Sequence, residues 1–81
     1  MKMPRNTSGA DLVKALAPFG YTVSRRKSSH IRLTTQTNGE HHVTVPDHDV
    51  VKIGTLNGIL RDVAAHLGLD KDDLAKQLFG P

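Results

Sequence analysis

Apolar positions along the chain fall into stretches of two different periods. Leu12, Val13, Leu16 and Ala17 recur at the three- and four-residue spacing of one helix face. Ser8, followed three residues later by Asp11, forms an N-cap pair ahead of them, and Pro18 and Gly20 stop the helix. From Tyr21 to Arg25, Ser29 to Thr35 and His41 to Val45 the character alternates residue by residue, as in half-buried strands. Turn residues Arg26-Lys27-Ser28 and Thr37-Asn38-Gly39 separate these runs. After a linker over 46–54, Leu56, Ile59, Leu60, Val63, Ala64 and Leu67 make the apolar stripe of a second helix that begins near Thr55 and ends at Gly68. Gly58 inside it either permits close approach to the sheet or is simply tolerated. Asp70 and Asp73 cap a short third helix, Lys71 to Phe79, whose Leu74, Leu78 and Phe79 dock on the core edge. The pattern predicts an α+β fold: α-β-β-β-α with a three-stranded antiparallel meander and a short extra C-terminal helix, in one domain over 1–81.

Register follows from the rule that directly opposed residues of an antiparallel pair face the same side of the sheet. A two-residue Asn38-Gly39 turn sets Leu33 against polar Thr44, whereas a three-residue loop 37–39 sets Leu33 against Val43 and Ile31 against Val45. The three-residue loop is therefore expected, with Gly39 in its left-handed position. The same test gives the first hairpin a loop of residues 26–28, pairing Val23 with Ile31 and Tyr21 with Leu33. One face then carries Tyr21, Val23, Ile31, Leu33, Val43 and Val45 beneath the helices. The other displays Thr22, Ser24, His30, Arg32, Thr34, His42 and Thr44 to water or a polar ligand.

With 81 residues, 37% apolar side chains and three aromatic residues, the chain supports one thin core. The absence of Cys excludes disulfide scaffolds, thiol catalysis, iron–sulfur clusters and the common structural zinc sites. No apolar run approaches the ~20 residues that span a bilayer, and no signal-peptide pattern opens the chain. The cytoplasm is the expected compartment, with no membrane partner. Charge changes the picture more: residues 1–45 hold seven Lys or Arg against two acids, and residues 46–81 hold four against six. Arg25, Arg26, Lys27 and Arg32 fall within eight residues, a density that suits phosphate contacts as well as a solvated turn.

The five His residues separate by position. His41, at a strand end on the covered side, reads as structural. His66 lies off its helix stripe and is expected to be exposed. His48, between Asp47 and Asp49 in the linker, has no further support as a metal ligand, and the adjacent His41 and His42 point to opposite faces and cannot both ligate one ion without a bulge. His30 lies on the open face beside Arg32 and the basic turn, where an imidazole is able to take a proton from a ribose 2′-OH. His42 opposes Thr34, four residues from His30, so the two rings begin about 13 Å apart and a paired-histidine mechanism is not expected.

The run Ser8-Gly9-Ala10-Asp11-Leu12-Val13-Lys14-Ala15-Leu16, then Phe19-Gly20-Tyr21, Ser29-His30, Val43-Thr44-Val45-Pro46 and Ile53-Gly54-Thr55-Leu56-Asn57-Gly58-Ile59-Leu60-Arg61, resembles the HicA family of toxin mRNA interferases. The likeness covers most of the chain and lies in the order and spacing of the pieces. It implies a fold like the double-stranded RNA-binding domain, RNA cleavage through a second-strand His that corresponds to His30, and neutralisation by a HicB antitoxin. One departure stands out: the family usually has Gly immediately before the Ser-His pair, and this chain has Ser28. In the register above, Ser28 ends the hairpin loop, where positive φ is expected, so it either bears strain or forces a different turn.

The resulting expectation is a metal-independent endoribonuclease toxin that cleaves mRNA without a cofactor and is held by a HicB-like antitoxin. The 2′-OH attacks the adjacent phosphate, leaving a cyclic phosphate and a 5′-hydroxyl. His30 is the catalytic base or acid, Arg32 and Lys27 stabilise charge, and Arg25 and Arg26 position the strand. Ser28 and Ser29 count with the RNA-binding residues: Ser28, where the family has Gly, either reduces activity or substitutes its hydroxyl as a donor, and Ser29 is one of several candidates for the second proton carrier. Two rival readings are a non-catalytic RNA-binding module using the same face and a protein-interaction domain for an acidic partner.

Overall fold

The computed structural model describes residues 6–80 and shows the expected α+β order. Helix α1 (Gly9–Leu16) is followed by a 3-10 turn (Ala17–Phe19), strands β1 (Thr22–Lys27), β2 (His30–Thr35) and β3 (His41–Pro46), and helices α2 (Ile53–Leu67) and α3 (Lys71–Phe79). The sheet is an antiparallel meander in the order β1-β2-β3.

Helix α1 starts where its capping pair dictates. The Ser8 hydroxyl accepts from the Asp11 N–H at 3.0 Å and the Asp11 carboxylate accepts from the Ser8 N–H at 3.2 Å. That backbone bond from Ser8, followed by the one from its hydroxyl, holds the Asp11 carboxyl below its ordinary pKa. The first turn is pressed against the end of β3: the Gly9 N–H donates to His48 O at 2.9 Å, and a Cβ on Gly9 would collide with the Pro46 carbonyl oxygen. Glycine is required there by space.

Side chains from all three helices, from β2 and β3, and from Tyr21 just ahead of β1 meet in one cluster. Leu12, Leu16, Tyr21, Ile31, Leu33, Val45, Leu56, Leu60, Val63 and Leu74 are all essentially without solvent contact. Helix α2 begins at Ile53, two residues before the expected start, because buried Val51 and its N–H bond to Thr7 O anchor the linker early. Gly58 faces open space, so the expected choice resolves to tolerance; no close approach requires it. On α3, Asp70 alone caps, accepting from the N–H groups of Asp72 and Asp73, whereas Asp73 was expected to cap as well.

The second hairpin has the expected register, with Ile31 opposite Val45 and Leu33 opposite Val43. Its ladder stops at Thr35 and His41, leaving a five-residue connection, 36–40, in place of the expected three. Helix α2 holds the tip of this connection. His66 Nε2 lies 2.9 Å from Thr37 O and 3.0 Å from Gly39 O, and Asn38 Nδ2 donates to His66 O at 2.8 Å. The Gln36 carbonyl, next in line to extend the ladder, accepts from the Gly39 N–H at 3.2 Å inside the loop instead. His66 is thus half-buried, where exposure was expected, and stacks on His41 with ring centres 4.3 Å apart. His41 is structural, as its position suggested: its Nδ1 lies 2.8 Å from the Tyr21 hydroxyl and its Nε2 3.3 Å from Asp62.

The first hairpin departs from expectation. Lys27 pairs with His30, Arg26 with Ile31 and Arg25 with Arg32, so the turn is the two residues Ser28-Ser29. The register then shifts between Val23 and Arg25, beyond which Val23 pairs with Leu33 and Thr22 with Thr34. Ser24 is the extra residue of a β-bulge. The expected pairing of Val23 with Ile31 and Tyr21 with Leu33 is therefore corrected. Tyr21 lies before the strand, buried and held by His41, and cannot also serve as a ladder residue opposite Leu33. Val23 has the covered-side parity but stays 38% exposed, because β1 is an edge that the helices barely reach.

Two glycine substitutions of opposite sign test this packing by urea denaturation. Gly9→Ala is expected to cost about 1–3 kcal/mol through forced separation of α1 from β3. Gly58→Ala is expected to stabilise by about 0.5–1 kcal/mol, because helix propensity is gained with no clash.

Candidate functional site

The central strand carries the two-sided pattern that builds the site. Ile31 and Leu33 are locked in the core, so the residues flanking them, His30 and Arg32, stand on the open face. The bulge decides what joins them from β1. With Ser24 inserted, Arg25 and Lys27 fall directly opposite Arg32 and His30 and share their face. An unbulged β1 in the expected register would have set Ser24 opposite His30 and Thr22 opposite Arg32, with Arg26 in the loop. A shallow groove of about 210 Å³ results, lined by Arg25, Lys27, His30, Arg32 and Thr44.

Three cations surround one imidazole in that groove, and no carboxylate lines it. None of the hydrogen bonds among the described residues engages the His30 ring. The arrangement suits an anion that must be held while a proton moves, since guanidinium and ammonium groups favour negative charge developing beside the imidazole. Among the described residues, no group of three or more His, Asp or Glu side chains gathers as a metal would require.

Four of the expected site residues, His30, Arg25, Lys27 and Arg32, are brought together. Arg26 is not: opposite Ile31 it has the covered-side parity, at the sheet margin, and its guanidinium lies 3.8 Å from Asp47. Both partners are about half exposed, so the pair contributes little, on the order of 0–1 kcal/mol. Ser28 and Ser29 form the turn at the mouth of the groove, and Ser29 O accepts from the Asp47 N–H at 2.7 Å. Thr44 lines the groove but was read only as part of the polar face. Its signal was its register position opposite Arg32.

Ser28 has φ 53°, in the left-handed region. Positive φ was expected at this residue; the turn around it is two residues long where three were expected. An L-residue pays roughly 1–2 kcal/mol for that conformation, and glycine avoids the cost.

A family model described as the HicA toxin of bacterial toxin–antitoxin systems matches residues 9–64. No curated protein and no solved structure matches the chain. The matched span runs from the first residue of α1 into α2 and includes every residue of the groove; α3 lies outside it.

Ser28→Gly is expected to raise stability by about 0.5 kcal/mol, the relieved strain exceeding the added freedom of the unfolded chain. The shift of the urea midpoint measures it, and a loss of stability would mean that the turn does not hold Ser28 at positive φ.

Proposed function

The chain belongs to the HicA toxin family, the toxin side of bacterial toxin–antitoxin systems, and so has a cognate antitoxin; we propose that it acts as an endoribonuclease on mRNA through His30. The observation that carries this reading is the His30 imidazole in an open groove with Arg25, Lys27 and Arg32 around it. Single-stranded RNA supplies what such a groove needs: a phosphate for the cations and a 2′-OH for the imidazole.

In the proposed reaction His30 removes the proton of the 2′-OH, and the freed oxygen attacks the adjacent phosphorus. The bond from phosphorus to the 5′ oxygen breaks, leaving a 2′,3′-cyclic phosphate. The departing 5′ oxygen takes a proton from the imidazolium, from water or from Ser29, and leaves as a hydroxyl. Arg32 and Lys27 hold the non-bridging oxygens as their charge rises, and Arg25 fixes the strand. No step calls on a metal or a cofactor. Arg26, directed to the margin, has a smaller part than the sequence suggested. The antitoxin of this reading is a HicB-like protein, and the setting is the cytoplasm; no helix among the described residues is long and apolar enough to cross a membrane.

One observation favours a non-catalytic RNA-binding module instead: the groove contains a single imidazole, and the other His on the open face, His42, lies opposite Thr34 at the far end of β2. The two readings part on His30→Ala. A nuclease loses cleavage by about 10²–10⁴-fold while RNA affinity stays within about threefold, and its toxicity to a bacterial host is relieved. Wild-type protein that binds RNA and never cuts it supports the module.

The bulge gives a second test that uses affinity alone. Arg25→Ala is expected to weaken RNA binding and to lower the salt dependence of log K by about one phosphate contact, whereas Arg26→Ala leaves the slope nearly unchanged. Equal effects of the two substitutions would contradict the separation of their faces.

A further inference from the structure

The open face has a second end with different chemistry. Thr34 is paired with Thr22 on one side and with His42 on the other, four residues along β2 from His30, or about 13 Å. A hydrogen-bonded chain crosses the sheet there. Ser24 Oγ lies 2.7 Å from Thr34 Oγ1, Thr34 Oγ1 lies 2.7 Å from His42 Nδ1, and His42 Nε2 lies 2.8 Å from Glu40 Oε2. A carboxylate only accepts, so Nε2 carries a proton, and in the neutral ring Nδ1 accepts from the Thr34 hydroxyl. The His42 bond, ahead of one from Gln36, holds the Glu40 carboxyl below its ordinary pKa and keeps it an acceptor.

Both ring nitrogens of His42 are thus tied, which fixes the plane of the imidazole, while 35% of the side chain remains open to solvent. A ring held by its edges has only its face to offer a ligand. The immediate surroundings disfavour a phosphate: the neighbours bonded around the ring are the hydroxyls of Thr22, Ser24 and Thr34 together with the Glu40 carboxylate, which repels anions. Arg25 and Lys27 lie at the other end of the face, in the groove, and Arg32, midway along β2, is close enough to act on the Glu40 carboxylate and partly offset it.

We propose that His42 is a pre-oriented stacking platform for an unpaired RNA base, serving a nucleotide different from the one whose phosphate sits at His30. The proposal rests on the reading of this face as an RNA surface. Aromatic and His side chains bind splayed-out bases through their faces, and stacking of this kind is tolerant of base identity. The 13 Å between the two ends is several times the about 3.4 Å rise per nucleotide of a stacked strand, so the two ends meet different nucleotides. A platform already fixed by Thr34 and Glu40 loses little side-chain freedom when a base lands on it.

The test uses a six-nucleotide 2′-O-methyl RNA, which binds but cannot be cut, and a set of the same oligonucleotides with one base removed at each position in turn. His42→Ala is expected to weaken binding of the intact oligonucleotide roughly tenfold, within the range of base–aromatic stacking. His42→Phe, which keeps a ring and loses both hydrogen bonds, is expected to bind within about threefold of wild type. One base-removed oligonucleotide should bind wild type about as weakly as the intact one binds His42→Ala, and removing that base should cost nothing further in the variant. Wild-type affinity in His42→Ala, equal weakness of the Ala and Phe variants with unchanged circular dichroism, or no RNA binding by wild-type protein overturns the proposal. Cleavage of the unmodified oligonucleotide is read in parallel. Loss of cleavage in His30→Ala alone supports the nuclease whatever His42 does, and a platform without any cleavage leaves RNA binding as the function.

Discussion

One extra residue in an edge strand sets the chemistry of the open face. Ser24 has no partner across the ladder, so β1 changes parity between Val23 and Arg25. On the far side of that change Arg25 and Lys27 oppose Arg32 and His30, and directly opposed residues share a face. Without the bulge, the two positive side chains next to the imidazole would turn toward the margin where Arg26 now meets Asp47. Bulges redirect side chains in this way because the backbone absorbs the extra residue locally and leaves both flanking registers intact.

The bulge has this effect only because β2 is immobile beneath it. Ile31 and Leu33 are buried under the helices, and a slip of one residue would expose both and bury His30 and Arg32 in their place. The hydrophobic contacts of one face therefore hold the polar groups of the other. Helix α2 extends the same control to the far loop, where His66 binds the carbonyls of Thr37 and Gly39 and stacks on His41. His42, next to His41 in β3, takes its place opposite Thr34 from that fixed strand end. The two sides of the sheet meet at this dipeptide: His41 tethers β3 to Tyr21 and Asp62, and His42 joins the polar chain on the outside.

Much of this was legible in the sequence because it depends on periods and caps. The Ser8/Asp11 box, the stripe of α2, the Gly68 stop and the parity of β2 each rest on a local rule, and each is present. The register of the second hairpin was readable because apolar residues on both strands admit one match, Leu33 with Val43. The first hairpin offered no such check. Val23 is the one apolar residue within β1, and Arg25, Arg26 and Lys27 are equally at ease on either side of an edge. A run of three cations contains no information on which of them faces the imidazole, so the bulge, the two-residue turn and the separation of Arg26 from its neighbours became visible only in three dimensions. His66 was misjudged for a related reason: helix periodicity shows that a residue lies off the stripe, not that a distant loop will fold over it.

The claim most open to direct measurement is the change of parity in β1. Cross-strand nuclear Overhauser contacts between backbone protons report which residues oppose each other in solution. The bulged register predicts contacts of Arg25 with Arg32, Lys27 with His30 and Val23 with Leu33. Contacts of Val23 with Ile31 and of Tyr21 with Leu33 would contradict it, and would take Arg25 and Lys27 away from His30.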